Sequence, residues 1–217
     1  MNKISAVIFD MDGLMFDTEA LFSIAQTAIA EKRGKKFTLD VKAKMMGQKP
    51  VHAVAIMLAE LGINESAEEV FKEQTKMYVE LLKNNSEAMP GLFELLDLLE
   101  VRGIRKGIAT SSMRGWVDIL LARFNIADRF EFIITGEEVK NGKPDPEMYE
   151  KAVAVLGLPA SSCLVLEDSS NGIRSADGAG CFAVAVPSEF TKAQDFSKAD
   201  RIVESLSDSK LFECFEV

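Results

Sequence analysis

Asp10 and Asp12 stand two residues apart at the end of an apolar run, Ile4, Ala6, Val7, Ile8 and Phe9, and Gly13 follows them. A run of that kind fits a parallel strand buried on both faces. Both carboxylates therefore leave the strand end together, and Gly13 lets the backbone turn sharply. Two carboxylates held this close repel unless a cation or a shared proton intervenes. Other polar groups also follow apolar runs: Thr110-Ser111-Ser112, then Glu167-Asp168, with Lys143 in the loop Asn141-Gly142-Lys143-Pro144-Asp145-Pro146. Singly each has an ordinary explanation, as helix caps, a loop lysine and a strand-to-helix turn. Their joint occurrence, each at or near a strand end, points instead to one crevice. Carboxylates and carbonyls are hard ligands that suit Mg²⁺, while lysine and hydroxyls suit a phosphate. Together the parts fit phosphoryl transfer, where positioning and charge neutralisation do most of the work.

The elements that must position these groups follow from periodicity. Residues 3–13 read as strand and turn. From Thr18 to about Asn84 the pattern is helical, with Phe22, Ile24, Ala25, Ala28 and Ile29 in one segment, Val54 to Leu61 in a second and Val70 to Leu82 in a third. Asp17 suits an N-cap and Gly34 a stop. After Met89-Pro90-Gly91 helices and strands alternate. Helices are expected at Leu92–Arg102, Trp116–Phe124 and Pro146–Leu156. Strands are expected at Lys106–Ala109, Phe130–Ile134, Cys163–Leu166 and Phe182–Val186, with a short edge at Ile202-Val203. The expected fold class is α/β, a doubly wound parallel sheet interrupted after its first strand by an all-helical insertion. Residues 1–16 and 88–217 are assigned to the sheet domain and 17–87 to the insertion, joined through 14–17 and 86–90.

Composition excludes several alternatives. The chain has 217 residues, 47% of them hydrophobic and 27% charged, enough for one large or two unequal domains. A net charge of −9 argues against nucleic-acid and anionic-membrane binding, and no apolar run approaches the roughly 20 residues of a membrane span. The run from Ile4 to Phe9 is too short for a signal peptide and leads straight into Asp10, so a cytoplasmic location is expected. Cys163, Cys181 and Cys214 lack metal-ligand spacing and read as buried thiols. His52 is the only histidine, which removes histidine triads and multi-histidine metal sites.

Four segments, Phe9-Asp10-Met11-Asp12-Gly13, Ala109-Thr110-Ser111-Ser112, Gly142-Lys143-Pro144 and Leu166-Glu167-Asp168-Ser169, resemble the four motifs of the haloacid dehalogenase superfamily of aspartate-nucleophile phosphotransferases. The insertion is similar to the helical cap of the subgroup containing β-phosphoglucomutase and pseudouridine-5′-phosphatase, whose core is Rossmann-like. The resemblance implies that Asp10 attacks phosphorus to give an aspartyl-phosphate and that Asp12 is acid, then base. It implies Mg²⁺ on Asp10, the Asp12 carbonyl and Asp168 with Glu167 nearby, Lys143 neutralising the nucleophile, and Thr110 and Ser111 holding phosphoryl oxygens. Lys49, in Met45-Met46-Gly47-Gln48-Lys49-Pro50, falls where cap residues reach substrate in this subgroup. An aspartate two residues after the nucleophile marks a phosphatase or mutase. The mutases' cap histidine and lysine match Phe22 and Gln74, which favours a Mg²⁺-dependent phosphatase of a small phosphorylated metabolite over a β-phosphoglucomutase-like enzyme. A binding protein on an inactive scaffold would not need every motif residue. A monomer or weak homodimer is expected.

Overall fold

The computed structural model describes residues 3–45 and 50–215. The chain divides into two compact units, Met1–Asp17 with Glu87–Val217, and Thr18–Ser86. Asp17 and Glu87 thus fall with the sheet, one residue beyond each expected boundary.

The Thr18–Ser86 unit is helical: α1 (Thr18–Glu31), α2 (Leu39–Met45), α3 (Pro50–Leu61) and α4 (Ala67–Asn85). Its core gathers Ile29, Met57, Leu58 and Val70. Helices α1 and α4 pack with the Phe22 ring edge-on to Tyr78, centroids 5.0 Å apart. Beyond them Arg33 forks onto Glu65 at 2.8 and 2.7 Å and reaches Glu73 at 2.8 Å. Ser66 caps α4, accepting from the Glu69 N–H. Helix α2 escapes the periodic reading for a physical reason. Leu39 is 83% exposed, so only Val41 and Met45 mark a buried face.

In the other unit the described residues form one parallel sheet: β1 (Ala6–Phe9), β2 (Arg105–Ala109), β3 (Phe132–Ile134), β4 (Cys163–Glu167), β5 (Phe182–Ala185) and β6 (Arg201–Ile202). Their order is β3-β2-β1-β4-β5-β6. The chain winds outward from β1 in both directions, which is the switch point where such sheets open a ligand crevice at the strands' carboxyl ends. Every residue of β1 and β4 is buried, and a strand covered on both faces has no polar face to alternate. The connecting helices are α5 (Leu92–Val101), α6 (Arg114–Phe124), α7 (Glu147–Leu156) and α8 (Ser170–Gly178), followed by α9 (Ser209–Phe212). Phe130 precedes β3 rather than opening it, because the turn Ala127–Arg129 still holds its N–H.

After β1 the chain turns through Gly13 at φ +77°. Phe16 then bridges to Ala88, the Asp17 N–H donates to the Glu87 carbonyl at 3.1 Å, and the Met89 N–H donates to the Met15 carbonyl at 2.9 Å. The two segments leading to and from the helical unit are therefore zipped together. Cys163, Cys181 and Cys214 are buried free thiols. No helix among the described residues is long and apolar enough to cross a membrane.

Candidate active site

Register brings the polar groups to one level. Phe9 pairs with Ile108 on one side and with Leu166 on the other. The next residues on the three strands are Asp10, Ala109-Thr110 and Glu167-Asp168. The Asp10 N–H donates to the Leu166 carbonyl at 3.0 Å, carrying the ladder one residue past β1. Asp10 is 7% exposed, Glu167 1% and Asp168 5%.

Lys143 answers this buried negative charge. Its Nζ donates to Asp10 Oδ1 at 2.5 Å, Glu167 Oε1 at 2.7 Å and the Ala109 carbonyl at 3.1 Å, which uses all three ammonium protons. The same nitrogen lies 4.8 Å from the centre of the Tyr149 ring. The loop carrying it is held from α7. Both Glu147 oxygens accept main-chain N–H groups, from Lys140 and Asn141, at 2.8 Å each. Ser175 in α8 donates to the Asp145 carbonyl at 2.6 Å.

Glu167, expected near the ion, is held by four donors. Oε1 accepts from Lys143 and from the Tyr149 hydroxyl at 3.0 Å, while Oε2 accepts from the Ser169 N–H at 3.0 Å and the Ser169 hydroxyl at 2.9 Å. Four donors on two oxygens fill the carboxylate and make it the anchor of Lys143. Ser169 continues the chain, since its Oγ accepts the Gly172 N–H at 3.1 Å as the cap of α8.

The electrostatics follow from burial. It pushes the Asp10 carboxyl up to about 7 against the pull of Lys143, with Glu167 and Asp12 adding negative charge. Burial also works against the Lys143 ammonium, but Asp10 and Glu167 outweigh it and hold the lysine protonated well above its ordinary range. Burial first, then Glu167, raises the Tyr149 phenol and keeps it a donor. Against the charge of Lys143, burial, Glu167 and Asp12 all favour the neutral acid, which cannot attack phosphorus.

Asp12 sits beside this pair. Its Oδ2 accepts the Ser112 hydroxyl at 2.6 Å and the Thr110 hydroxyl at 3.2 Å. Thr110 is fully buried, and its hydroxyl is directed to Asp12. Ser111 is exposed at the strand end, with its carbonyl 2.5 Å from where a Cβ on Gly136 would lie. Asp168 leans over the turn after β1, and a Cβ on Gly13 would come 2.5 Å from its Oδ2. Ser188 and Thr191 approach the same oxygen at 3.3 and 3.5 Å. Lys49 lies outside the described residues, and His52 is exposed on α3.

The residues fit a divalent cation. Three buried carboxylates, Asp10, Glu167 and Asp168, stand at the strand ends beside Lys143, and Gly13 keeps open the cradle between Asp168 and the Asp10–Asp12 turn. Among the described residues no three carboxylate, histidine or cysteine side chains gather closely enough to hold an ion alone. An ion here would draw on two carboxylates, a main-chain carbonyl and oxygens from water or substrate, as Mg²⁺ commonly does.

The strand-end motifs identified Asp10, Asp12, Thr110, Lys143 and Asp168, and the fold brings them together. Sequence reading missed Tyr149, Ser112 as a partner of Asp12, and the Ser188–Thr191 pair. Tyr149 carried the nearest thing to a signal, an aromatic three residues after Pro146, but it reads equally well as core.

Comparison with known proteins finds relatives along most of the chain. A phosphorylated carbohydrates phosphatase of Thermotoga maritima is 36% identical over 179 residues, covering 81% of this chain and 81% of its own. A (DL)-glycerol-3-phosphatase of Arabidopsis thaliana is 35% identical over 217 residues, covering 96% of this chain and 90% of its own. Among solved structures, CbbY from Rhodobacter sphaeroides in complex with phosphate superposes with a TM-score of 0.82 at 26% identity, covering 94% of this chain and 95% of that one. The family model described as haloacid dehalogenase-like hydrolase matches residues 7–186, and the chain belongs to that family.

Proposed function

We propose that the chain is a Mg²⁺-dependent phosphatase of a small phosphorylated metabolite, a sugar phosphate or nucleoside monophosphate, working through an aspartyl-phosphate on Asp10. The observation that carries this reading is Lys143 bridging Asp10 and Glu167 at the strand end, with Asp12 two residues on. Relatives of similar length named for phosphatase activity on phosphorylated carbohydrates and on glycerol 3-phosphate support the substrate class.

In the first step an Asp10 carboxylate oxygen forms a bond to phosphorus. The bond from phosphorus to the leaving oxygen breaks with its electron pair, and that oxygen takes a proton from Asp12. In the second step a water oxygen attacks phosphorus while its proton passes to Asp12. The Asp10–phosphorus bond breaks and returns the carboxylate. Lys143 pulls Asp10 toward its ionised form and offsets the approach of an anion to a phosphate dianion. Asp10, the Asp12 carbonyl and Asp168 would hold Mg²⁺, which supplies further charge neutralisation at the phosphoryl group when bound.

The test is release of inorganic phosphate from a panel of phosphorylated metabolites, with Mg²⁺ and after its removal by chelator. Asp10→Asn should lower turnover by about 10⁴-fold or more while the fold persists. Full activity in Asp10→Asn would remove the nucleophile, and undiminished activity without divalent cations would remove Mg²⁺. Conversion of β-glucose 1-phosphate to glucose 6-phosphate, without release of phosphate, would establish a mutase instead.

A further inference from the structure

Asp12 needs one orientation in which it can give a proton to a leaving oxygen and later take one from water. A carboxylate on a short side chain at a turn has more than one rotamer available. Two hydroxyls restrict it here. Ser112 Oγ and Thr110 Oγ1 both donate to Oδ2, and the Ser112 N–H donates to Thr110 Oγ1 at 3.1 Å. These contacts close a ring from the loop after β2 onto a single oxygen of Asp12.

Helix capping does not account for them. Helix α6 begins at Arg114, its cap position is Met113 with no side-chain hydrogen bond, and the Arg114 N–H is taken by Glu137 Oε2 at 2.8 Å. The hydroxyls of the Thr110-Ser111-Ser112 segment that meet a carboxylate meet Asp12. Ser169, by contrast, does cap its helix.

We infer that Ser112 is a positioning residue for proton transfer by Asp12. Resting on the phosphatase reading above, its hydroxyl fixes Oδ2 and so sets the orientation in which the carboxyl meets the leaving oxygen. At 2.6 Å the contact has the length of a hydroxyl-to-carboxylate hydrogen bond, which is stronger than a neutral one. Serine also suits the cycle, because its hydroxyl can go on donating to Oδ2 in both the charged and the protonated carboxyl.

A series of phenyl phosphates, from the 4-nitrophenyl ester with its good leaving group to the unsubstituted phenyl ester with a poor one, tests this. The quantity read is kcat/KM, which reports the steps through release of the phenol. A leaving group that needs no proton is insensitive to the aim of Asp12, and one that needs a proton is not. Ser112→Ala should leave the 4-nitrophenyl ester within about threefold of wild type and slow the phenyl ester about 10- to 100-fold. Ser112→Thr, which keeps the hydroxyl, should restore the phenyl ester. A loss equal across the series, or no loss at all, overturns the inference, since a merely structural role would not sort esters by leaving group. Failure of the phosphatase reading looks different, because Asp10→Asn would then keep its activity on every ester.

Discussion

Gly172 has no side chain, and the Glu167 carboxylate occupies the space one would take: a Cβ there would lie 1.7 Å from Oε1 and 1.8 Å from Cδ. That carboxylate is locked by its own donors and cannot swing aside without releasing Lys143. Gly172→Ala is therefore expected to act at a distance. The methyl displaces Glu167, Lys143 loses its anchor, and Asp10 drifts toward the neutral acid that burial favours. Overpacking of this kind costs about 1–3 kcal/mol of stability. The larger effect belongs to turnover, expected to fall about 100-fold or more with bound phosphate weakened in parallel. Near-normal turnover in a folded Gly172→Ala protein would show that Glu167 does not hold the lysine in place. This position also marks where legibility in the sequence stopped. Asp10, Asp12, Lys143 and Asp168 were legible because a strand end, or a loop just ahead of two prolines, exposes a polar residue to chemistry. Gly172, Tyr149 and Ser112 were not, because one lies inside α8, one on the apolar stripe of α7, and one in a Ser-Ser pair that also suits a cap. Their contacts exist only once β4, α7 and the loop after β2 are side by side.

At the scale of elements, α5 depends on how it starts. Gly91 occupies its cap position at φ +87°, and a Cβ there would lie 2.5 Å from the Ser207 backbone nitrogen and 2.8 Å from the Leu206 carbonyl carbon. Backbone cannot move aside as a side-chain tip can. Gly91→Ala should therefore combine left-handed strain with a main-chain clash, a loss of about 2–4 kcal/mol. Because α5 buries Leu92, Leu95, Leu96 and Leu99 against the sheet unit, the loss should appear as one lowered cooperative transition in denaturant, not as local fraying. A stability unchanged within about 0.5 kcal/mol would mean that the 205–208 segment gives way freely. The same helix was easy to read, with four leucines on one face and Gly103 after its end. Helix α2 was not, since its leading leucine faces water. Pro146 lies one step before α7 because its fixed φ and missing N–H suit the position just ahead of the first turn. Boundaries shifted where main-chain bonding decided them, while strand identity followed from burial on both faces.

The molecule as a whole places its chemistry on one side of a chain division. Asp10, Asp12, Thr110, Lys143, Glu167 and Asp168 all belong to the unit of Met1–Asp17 and Glu87–Val217. That unit is also closed without the insertion. Phe16 bridges to Ala88, and the Asp17 N–H meets the Glu87 carbonyl at 3.1 Å, so the two cut ends lie side by side. Joining them by a short glycine–serine turn replaces a long closed segment by a short one, and closing a short loop costs less entropy. A protein with residues 18–86 replaced in this way is expected to unfold in a single cooperative transition. The retained groups hold the nucleophile, its lysine and the acid–base, so it should still release phosphate from 4-nitrophenyl phosphate. Discrimination among phosphorylated metabolites should fall, because pocket contacts beyond the phosphoryl group set such ratios. The comparison to make is kcat/KM for the aryl ester against the best metabolite, in the shortened and the full-length protein. If the shortened protein folds but turns over neither ester, the helical unit supplies part of the chemistry itself. If it fails to fold, the paired segments 14–17 and 86–90 do not close the sheet unit on their own.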